Sequence, residues 1–230
     1  SITKAPKTTA PGNQDVAFLL STSGTTSRPK VVPQRHESVV LSAEFFRRWY
    51  GLTPDDRALV ATPLYHNLAL HNGLIAPILA GAATIVPRDL SPDRLFDILY
   101  SLEPTFMAAG PALLRALVTR AQALSPVSGR HRLRFIRGSS AAIPMALERE
   151  TETTFGVPVV QAWGMTETCS HALSNPLPPA VRKPGSVGLP VAEEVEVGIK
   201  NETGEFLAAG EVGELVVSGP TVLAGYLDSG

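Results

Sequence analysis

Short apolar runs alternate with amphipathic segments along most of this chain, and this alternation constrains the fold more than any other feature of the sequence. Up to about residue 165, strand-like runs such as Val16–Leu20 and Thr105–Ala108 are followed by helix-like segments. Helices packed against a mostly parallel sheet produce this pattern, whereas all-α and all-β chains do not. Because ligands bind at the carboxyl ends of the strands in such sheets, the loops that leave those ends are candidate functional loops.

Local signals refine this pattern at several points. The segment Ser21–Pro33 is rich in Ser, Thr and Gly, and we expect it to be a loop. Ser91 followed by Pro92 predicts the start of a helix. The helix-like segment Glu37–Tyr50 has apolar residues at helical spacing, which predicts one buried face. The residues expected on that face are Val40, Leu41, Phe45 and Trp49.

From about residue 175 onward the sequence is rich in turn-forming residues and carries shorter alternating runs. Asn201–Gly204 has the composition of a hairpin turn, and Val195–Lys200 and Glu214–Val217 are strand-like. The predicted fold class is therefore α/β, with a mostly parallel sheet and flanking helices followed by a small antiparallel β subdomain. We expect a loose arm at residues 1–14, the α/β subdomain at 15–174 and an incomplete β subdomain at 175–230.

The charge balance and the single cysteine argue against several functional classes. Lys and Arg together number 20 and Asp and Glu 21, so the net charge is −1, whereas coating nucleic acid or an anionic membrane needs a basic excess. No apolar run reaches the ~20 residues of a membrane span, and no signal peptide is recognisable. We therefore expect a cytoplasmic protein without a nucleic-acid partner. Cys169 has no second cysteine to pair with and is expected to be a small buried residue.

The segment Ser21–Lys30 is the strongest chemical signal, because hydroxyl-bearing residues surround a single glycine and a lysine follows. Hydroxyl and backbone N–H groups can wrap phosphate oxygens, and the lysine supplies a positive charge. The segment is not a Walker A loop, since Pro29 stands where that motif requires glycine. The chain also lacks Gly-x-Gly-x-x-Gly and Gly-x-Ser-x-Gly motifs. Composition alone is equally compatible with a Ser/Thr-rich surface loop.

Taken together with later segments, Thr22–Lys30 resembles the phosphate-loop motif of the acyl-adenylate-forming (AMP-binding) superfamily, of the acyl-CoA synthetase type. Four later segments resemble other motifs of this superfamily, in the same order. They are Pro63–His66, Gln161–Thr168, Lys183–Pro190 and Gly213–Tyr226. The resemblance covers nearly all of the chain from about Asp15 onward. Within the superfamily the chain looks most like the branch of oxalate–CoA ligases and peroxisomal CoA synthetases, some of which prefer small acids.

The resemblance implies an ATP-dependent carboxylate–CoA ligase. Members of this superfamily join a carboxylic acid to the α-phosphate of ATP in the presence of Mg²⁺ and release pyrophosphate. They then usually transfer the acyl group to the thiol of coenzyme A. Displacement at phosphorus depends mainly on charge neutralisation and alignment. The expected partner is therefore a small-molecule carboxylic acid, and the superfamily is also associated with fatty acid metabolism.

The same resemblance implies roles for individual residues. Phosphate binding would fall to Thr22, Ser23, Gly24, Thr25, Thr26 and Lys30. The rest of the nucleotide would contact Ser139, Ser140, Ala141, Trp163, Gly164, Met165 and Thr166. The catalytic residues would be Lys30, His66, Thr166 and Glu167, and Glu167 would also hold Mg²⁺. The alternatives left open are a core aromatic at Trp163 and a structural histidine at His66.

The sequence departs from the superfamily pattern in two respects. Ser27 and Val31 stand where glycine is usual, and we expect the first of these changes to stiffen a loop that must move over ATP. Nothing resembles the later Thr-Gly-Asp motif, the hinge or the C-terminal domain with its catalytic lysine. We therefore expect the chain to be a central fragment of the large domain that is poorly active by itself. A non-catalytic nucleotide-binding module and an adenylation domain that loads a carrier protein are the alternatives.

Overall fold

A computed structural model describes residues 10–22, 29–124 and 131–227 of the chain. The strands are β1 (Val16–Ser21), β2 (Val31–Arg35), β3 (Arg57–Leu59), β4 (Ala83–Ile85), β5 (Phe106–Ala109), β6 (Phe135–Gly138), β7 (Val159–Trp163), β8 (Leu173–Ser174), β9 (Leu189–Pro190), β10 (Glu196–Lys200) and β11 (Glu214–Ser218). The α-helices are α1 (His36–Tyr50), α2 (Ala76–Leu79), α3 (Pro92–Ser101), α4 (Pro111–Ala123) and α5 (Met145–Phe155). A π-helical segment (Ala69–Ile75) leads into α2, and a short 3₁₀ helix covers Thr166–Thr168.

Within the described residues, the main sheet has seven strands in the order β4-β3-β5-β6-β7-β8-β9. Strands β3 to β7 run parallel to their neighbours, and β8 and β9 extend the sheet as antiparallel strands. The predicted α/β fold class is confirmed. The predicted cap on α3 is also present, because the Ser91 hydroxyl accepts a hydrogen bond from the backbone N–H of Arg94 over 3.4 Å.

Strand β1 was expected in the parallel sheet, and this expectation is wrong. Instead β1 pairs antiparallel with β2, and the two form a separate hairpin. Residues up to Pro33 were expected to be a loop, yet Val31, Val32 and Pro33 belong to β2. Pro33 is tolerated in β2 because each strand of a two-stranded hairpin has one edge without a partner strand, where no backbone N–H donor is required. The hairpin holds the ends of the predicted phosphate loop.

The helices cover both faces of the main sheet. Alternate residues of a strand point to opposite faces, so Phe135 faces α1 whereas Ile136 faces α3 to α5. On the α1 face, Phe135 stacks on Tyr50 with ring centroids 4.7 Å apart. Phe45 is buried as predicted, but Val40 is 49% exposed. The buried face is turned towards Phe46 and Tyr50, because these are the rings that pack on the sheet.

The division into three parts stays a prediction, and only some of its segments are described. Residues 1–9 of the expected arm lie outside the described residues. Between 175 and 230, β9 pairs with β8 at the edge of the main sheet, and β10 pairs with β11. The hairpin turn predicted at Asn201–Gly204 is present, with the Gly204 N–H donating to the Asn201 carbonyl. Among the described residues, no helix is long and apolar enough to cross a membrane.

An ion pair between the buried Asp56 and the exposed Arg134 fixes the start of β6 to the loop before β3, and its contribution to stability should be pH-dependent. Both carboxylate oxygens of Asp56 accept from Arg134 at 2.7 Å, and Thr105 also donates to one of them. Burial would raise the pKa of Asp56, but the hydrogen bonds from Thr105, Thr53 and Arg134 outweigh it and lower the pKa. The pair therefore stabilises the fold above the unfolded-state pKa of about 4, and this contribution is lost as the pH falls through the lower folded-state value.

We expect Arg134→Met to lower the free energy of unfolding by about 1–3 kcal/mol at pH 7. The difference from the parent protein should shrink as the pH falls from about 4 through the lowered folded-state pKa of Asp56, because the carboxyl group then becomes protonated in the parent protein as well. Denaturant titrations at pH 7 and pH 3 measure it. A difference that stays constant between the two pH values would contradict this role.

Candidate active site

The β1–β2 hairpin closes the base of the predicted phosphate loop. The Thr22 N–H donates to the Lys30 carbonyl over 2.9 Å, and the Lys30 N–H donates to the Thr22 hydroxyl over 3.2 Å. These reciprocal hydrogen bonds hold the two ends of the loop together. Between them, the predicted phosphate-binding residues Ser23, Gly24, Thr25 and Thr26 lie outside the described residues, as does Ser27.

Lys30 and Glu167 meet on the ring of Tyr226. The Lys30 ammonium nitrogen lies 4.5 Å from the centroid of this ring, a cation–π distance. The Tyr226 hydroxyl donates to Glu167 Oε1 over 2.9 Å, and this hydrogen bond raises the pKa of Tyr226. The Leu227 N–H donates to the Val31 carbonyl, which fixes the ring beside the hairpin. The structure therefore brings together a cation and a carboxylate that lie 137 positions apart in the sequence (167 minus 30).

The segment between β7 and β8 holds Thr166 and Glu167 in a tight turn. The Met165 N–H donates to the Thr168 hydroxyl, and the Thr168 N–H donates to the Met165 carbonyl. A Cβ at Gly164 would overlap the carbonyl oxygen of Ser170, so this close approach requires glycine. Gly164 and Met165 are exposed, and Thr166 and Glu167 are half-buried. The turn therefore presents Thr166 and Glu167 beside the hairpin.

A buried polar network beneath this turn was not foreseen from the sequence. The Gln34 side-chain amide nitrogen donates to the Thr166 carbonyl and to Asn67 Oδ1, both over 2.9 Å. Asn67 in turn donates to the Met165 carbonyl over 3.2 Å. Because the Gln34 amide oxygen can only accept, the 2.8 Å contact with His71 makes His71 Nε2 the donor. The network thus links β2 and the π-helical segment to the backbone of the Thr166 turn.

His71 serves this network as a neutral side chain. Burial lowers its pKa to about 4, and its second ring nitrogen is buried with no partner among the described residues. Protonation would place a buried donor there without an acceptor, which opposes the charged form. Because its ring stays neutral, His71 is a fixed donor to Gln34 at physiological pH. His71 lies in the π-helical segment, and such geometry occurs often at functional sites.

We expect Gln34→Leu to weaken both folding and nucleotide binding. The variant removes the hydrogen-bond partner of the Thr166 carbonyl and of the His71 ring N–H. This loss should lower the free energy of unfolding by about 1–3 kcal/mol. The Michaelis constant for ATP should rise more than the turnover number falls, because the turn is held less firmly before ATP binds. The matched control is Gln122→Leu at an exposed position of α4, away from the site, where a change within about 0.5 kcal/mol is expected. Equal effects of the two variants would contradict the positioning role.

The predicted adenine wall lies at the carboxyl edge of the main sheet. Ser139 directly follows β6, and its N–H donates to the Ala109 carbonyl over 3.2 Å. Ser139 is buried, whereas Ser140 and Ala141 are exposed. Trp163 ends the neighbouring strand β7, is half-buried and packs against the cluster that contains Phe45 and Val195. The structure therefore places Ser139, Ser140, Ala141 and Trp163 on adjacent strand ends, and their contact with a nucleotide stays a prediction.

His66 and Cys169 flank the site in different environments. His66 is exposed on the segment that leads to Asn67, and its ring lies 5.0 Å from that of Tyr65. Its catalytic role stays a prediction. Cys169 is buried and burial raises its pKa to about 12, so its thiol is not a nucleophile at neutral pH. The expectation of a small buried residue at position 169 is confirmed.

The donor set fits a metal ion held mainly by phosphates. Among the described residues, no group of three or more His, Cys, Asp or Glu side chains could hold a metal ion. Mg²⁺ usually keeps several water ligands and is bound by one or two carboxylates together with substrate phosphates. Glu167 supplies one such carboxylate, and its Oε2 atom has no hydrogen bond within the described part of the chain. This arrangement is compatible with Mg²⁺ that arrives with ATP.

Comparison with known proteins identifies the family. Residues 2–227 match the model of the AMP-binding enzymes, and the chain belongs to this family. An oxalate–CoA ligase from Arabidopsis thaliana is 37% identical over 215 residues, which are 92% of this chain and 41% of that protein. A sulfoacetate–CoA ligase from Cupriavidus necator is 34% identical over 91% of this chain and 40% of that protein. The chain therefore spans about two fifths of the length of these relatives.

Solved structures of similar enzymes share the fold. ATP-bound MatB from Rhodopseudomonas palustris superimposes with a TM-score of 0.83 at 30% identity. The superposition covers 94% of this chain and 42% of the MatB chain. An anthranilate–CoA ligase in complex with anthranoyl-AMP also gives a TM-score of 0.83, at 26% identity, over 93% of this chain and 41% of that chain. The main sheet and its flanking helices are thus those of adenylate-forming enzymes.

Proposed function

We propose that the chain carries the adenylate-forming site of an ATP-dependent carboxylate–CoA ligase. The observation that carries this proposal is the meeting of Lys30 and Glu167 on Tyr226, beside the Thr166 turn at the carboxyl edge of the sheet. Transfer of an adenylyl group requires a cation at the phosphates and an oxygen ligand for Mg²⁺. The relatives that make CoA thioesters of oxalate and sulfoacetate support a small carboxylic acid as substrate and coenzyme A as acceptor.

Each part of the site has a role in this proposal. Lys30 neutralises charge on the pyrophosphate leaving group, together with Thr22 and the loop residues 23–26. Thr166 contacts the α-phosphate, and Glu167 holds Mg²⁺, which would supply further charge neutralisation. Ser139, Ser140, Ala141 and Trp163 enclose the adenine, with Gly164 and Met165 beside it. His66 borders the carboxylic acid.

Carboxylate-dependent exchange between ATP and labelled pyrophosphate tests the proposal. The assay uses the protein that carries this chain, at its full natural length, with a panel that includes oxalate, coumarate and fatty acids. Exchange that requires an acid, followed by release of an acyl-CoA when coenzyme A is added, is the expected result. Exchange with no thioester, but with acyl transfer to a carrier protein, would indicate the carrier-loading alternative. Nucleotide binding without exchange would indicate a non-catalytic module.

Removal of the Tyr226 hydroxyl should raise the Mg²⁺ requirement. Tyr226→Phe keeps the ring under Lys30 but deletes the hydrogen bond that orients Glu167. Because partners that orient metal ligands typically contribute 10–100-fold to metal affinity, we expect the half-saturating Mg²⁺ concentration to rise by about 10-fold. Exchange rates over a Mg²⁺ titration measure this effect. The control is Tyr65→Phe at an exposed tyrosine, and an unchanged titration for Tyr226→Phe would exclude this role.

A further inference from the structure

Two adjacent residues behind the Thr166 turn have backbone conformations that residues with side chains rarely adopt. Cys169 has a φ of 50° and Ser170 a φ of 82°, both in the left-handed region that favours glycine. Both residues are buried, and they follow Glu167 within three positions. Strained backbone persists only where the surrounding structure imposes it, and it is concentrated at functional sites. The side chains that impose it here are therefore candidates for a functional role.

Ser170 closes the Thr166 turn, which comprises residues 164–170. The Ser170 N–H donates to the Met165 carbonyl over 3.0 Å. The Ser170 carbonyl oxygen lies so close to Gly164 that a Cβ built there would be only 2.0 Å from it. The two ends of the turn are thus in direct contact, and the candidate phosphate and metal ligands lie between them. A shift of the Ser170 peptide would therefore move both ligands.

Among the described residues, three side chains from different elements donate hydrogen bonds to the strained pair. The Ser42 hydroxyl on α1 donates to the Cys169 carbonyl. The Asn72 amide on the π-helical segment donates to the Ser170 hydroxyl over 3.2 Å. An amino group of Arg137 on β6 donates to the Ser170 carbonyl over 3.3 Å. Of these donors Arg137 alone is charged, and charged donors make hydrogen bonds roughly twice as strong as neutral ones.

The charge of Arg137 does not serve the stability of the fold. Its side chain is fully buried, and no acidic side chain of the described residues pairs with it. Its other neighbours are His171 Nδ1, at 3.4 Å, and the Tyr50 hydroxyl. Burial lowers the pKa of the guanidinium, and a buried charge without a counter-ion destabilises a protein. An apolar side chain of similar length would therefore stabilise the fold at least as well.

We propose that Arg137 is a positioning residue of the adenylate-forming site, and that its charge is retained to hold the strained Ser170 peptide in place. The turn then presents Thr166 to the α-phosphate and Glu167 to Mg²⁺ before ATP binds. The proposal rests on the proposed function, because it names a residue that supports the same site. Arg137 itself contacts neither the nucleotide nor the metal ion. Groups oriented before a reaction need no reorganisation during it, so a site can retain a charge that destabilises the fold.

Arg137→Met separates the order of the turn from the stability of the whole protein. The variant removes the charge and the donor but keeps a side chain of similar length. We expect its melting temperature to lie within about 4 °C of the parent value or above it, because the buried charge is lost together with the hydrogen bond. The half-saturating Mg²⁺ concentration in pyrophosphate exchange should rise by about 10-fold, as for other partners that orient metal ligands.

Amide hydrogen exchange, measured without nucleotide or metal, gives a readout that does not depend on activity. The N–H groups of Thr168 and Ser170 donate within the turn. In Arg137→Met both should exchange with solvent about 10-fold faster than in the parent protein, because the turn opens more often. The amides of β6 and β7 should keep the protection that they have in the parent. A residue that merely stabilised the fold would change both sets of amides together.

Two further variants complete the test. Arg134→Met is the matched control, because it removes the other arginine of the same segment and its pair with Asp56. It should lower the melting temperature but leave the Mg²⁺ requirement and the protection of the turn unchanged. Arg137→Gln keeps an amide donor without the charge, and we expect its Mg²⁺ requirement to rise by about threefold. This variant carries the test if Arg137→Met does not fold.

The possible outcomes distinguish the role of Arg137 from the function of the site. A parent-like Mg²⁺ titration and a parent-like protection of the turn in the folded Arg137 variants would overturn the proposal. So would a lower melting temperature accompanied by faster hydrogen exchange throughout the sheet, which would indicate a purely structural role. Absence of pyrophosphate exchange with every acid in the parent protein would instead refute the adenylate-forming function, whatever the hydrogen exchange of the turn.

Discussion

Replacing Glu167 by glutamine should reduce carboxylate-dependent pyrophosphate exchange by about 100-fold or more, because it removes the carboxylate that we place at Mg²⁺. Loss of one group that stabilises the transition state electrostatically typically costs a factor of about 100–1,000 in rate. Glutamine has the same size, and its amide oxygen can still accept from Tyr226, so the turn should keep its shape. The change therefore isolates the charge of Glu167.

The exchange rate, the Mg²⁺ dependence and the thermal stability should be measured on the same preparation. We expect the melting temperature of Glu167→Gln to lie close to that of the parent protein. Glu202→Gln, at an exposed turn position, is the matched control and should behave like the parent. Lys30→Ala should show a comparable loss of exchange, since it removes the cation that lies over the Tyr226 ring. Exchange by Glu167→Gln at the parent rate would refute the assignment of the metal-binding carboxylate.

Gly164→Ala should abolish most of the activity for a steric reason. The added methyl group would overlap the carbonyl oxygen and carbon of Ser170, which are backbone atoms and cannot rotate away. The Thr166 turn must then shift, and the Ser170 carbonyl that accepts from Arg137 must shift with it. Displacement of positioned groups by about 1 Å can cost about 100-fold in rate. We therefore expect a loss of at least that size.

Stability should also fall in Gly164→Ala, by about 1–3 kcal/mol, as is usual when a close-packed site is overfilled. The control is Gly12→Ala, where the added methyl group would lie 3.7 Å from Asp15 in ordinary contact. That variant should match the parent in both activity and unfolding. Parent-like exchange by Gly164→Ala would show that the close approach of Gly164 to Ser170 is not needed for function.

Both the sheet and the positions of the chemical groups can be predicted from the sequence, but the first prediction rests on a hydrophobic pattern and the second on short motifs. The alternation of apolar and amphipathic runs predicts β3 to β7 with the helices between them, because packing on both faces of a parallel sheet imposes that pattern. Lys30 and Glu167 were predicted from the resemblance of short motifs, which transfers positions without geometry. Their meeting on Tyr226 therefore required the structure, as did the pairing of β1 with β2.

The polar network under the Thr166 turn has no local signature in the sequence. Gln34 and Thr166 are 132 positions apart, and Gln34 directly follows the segment in which the composition indicated a loop. A glutamine, an asparagine and a histidine at such separations become a network only when the fold brings them together.

Val40 illustrates a second limit of prediction from the sequence. Helical spacing predicts that α1 has a buried face, but the rotation of that face depends on the rings of Phe106 and Phe135, against which Phe46 and Tyr50 pack.

The most direct test of the central claim follows an oxygen atom from the acid. If the site joins the carboxylate to the α-phosphate of ATP, a carboxylate oxygen bridges carbon and phosphorus and leaves with AMP when coenzyme A attacks the carbonyl carbon. With ¹⁸O-labelled carboxylic acid, ATP, Mg²⁺ and coenzyme A, mass spectrometry should therefore find one ¹⁸O atom in each AMP released. Label in inorganic phosphate with formation of ADP, or AMP without label, would contradict an adenylate-forming site on this chain.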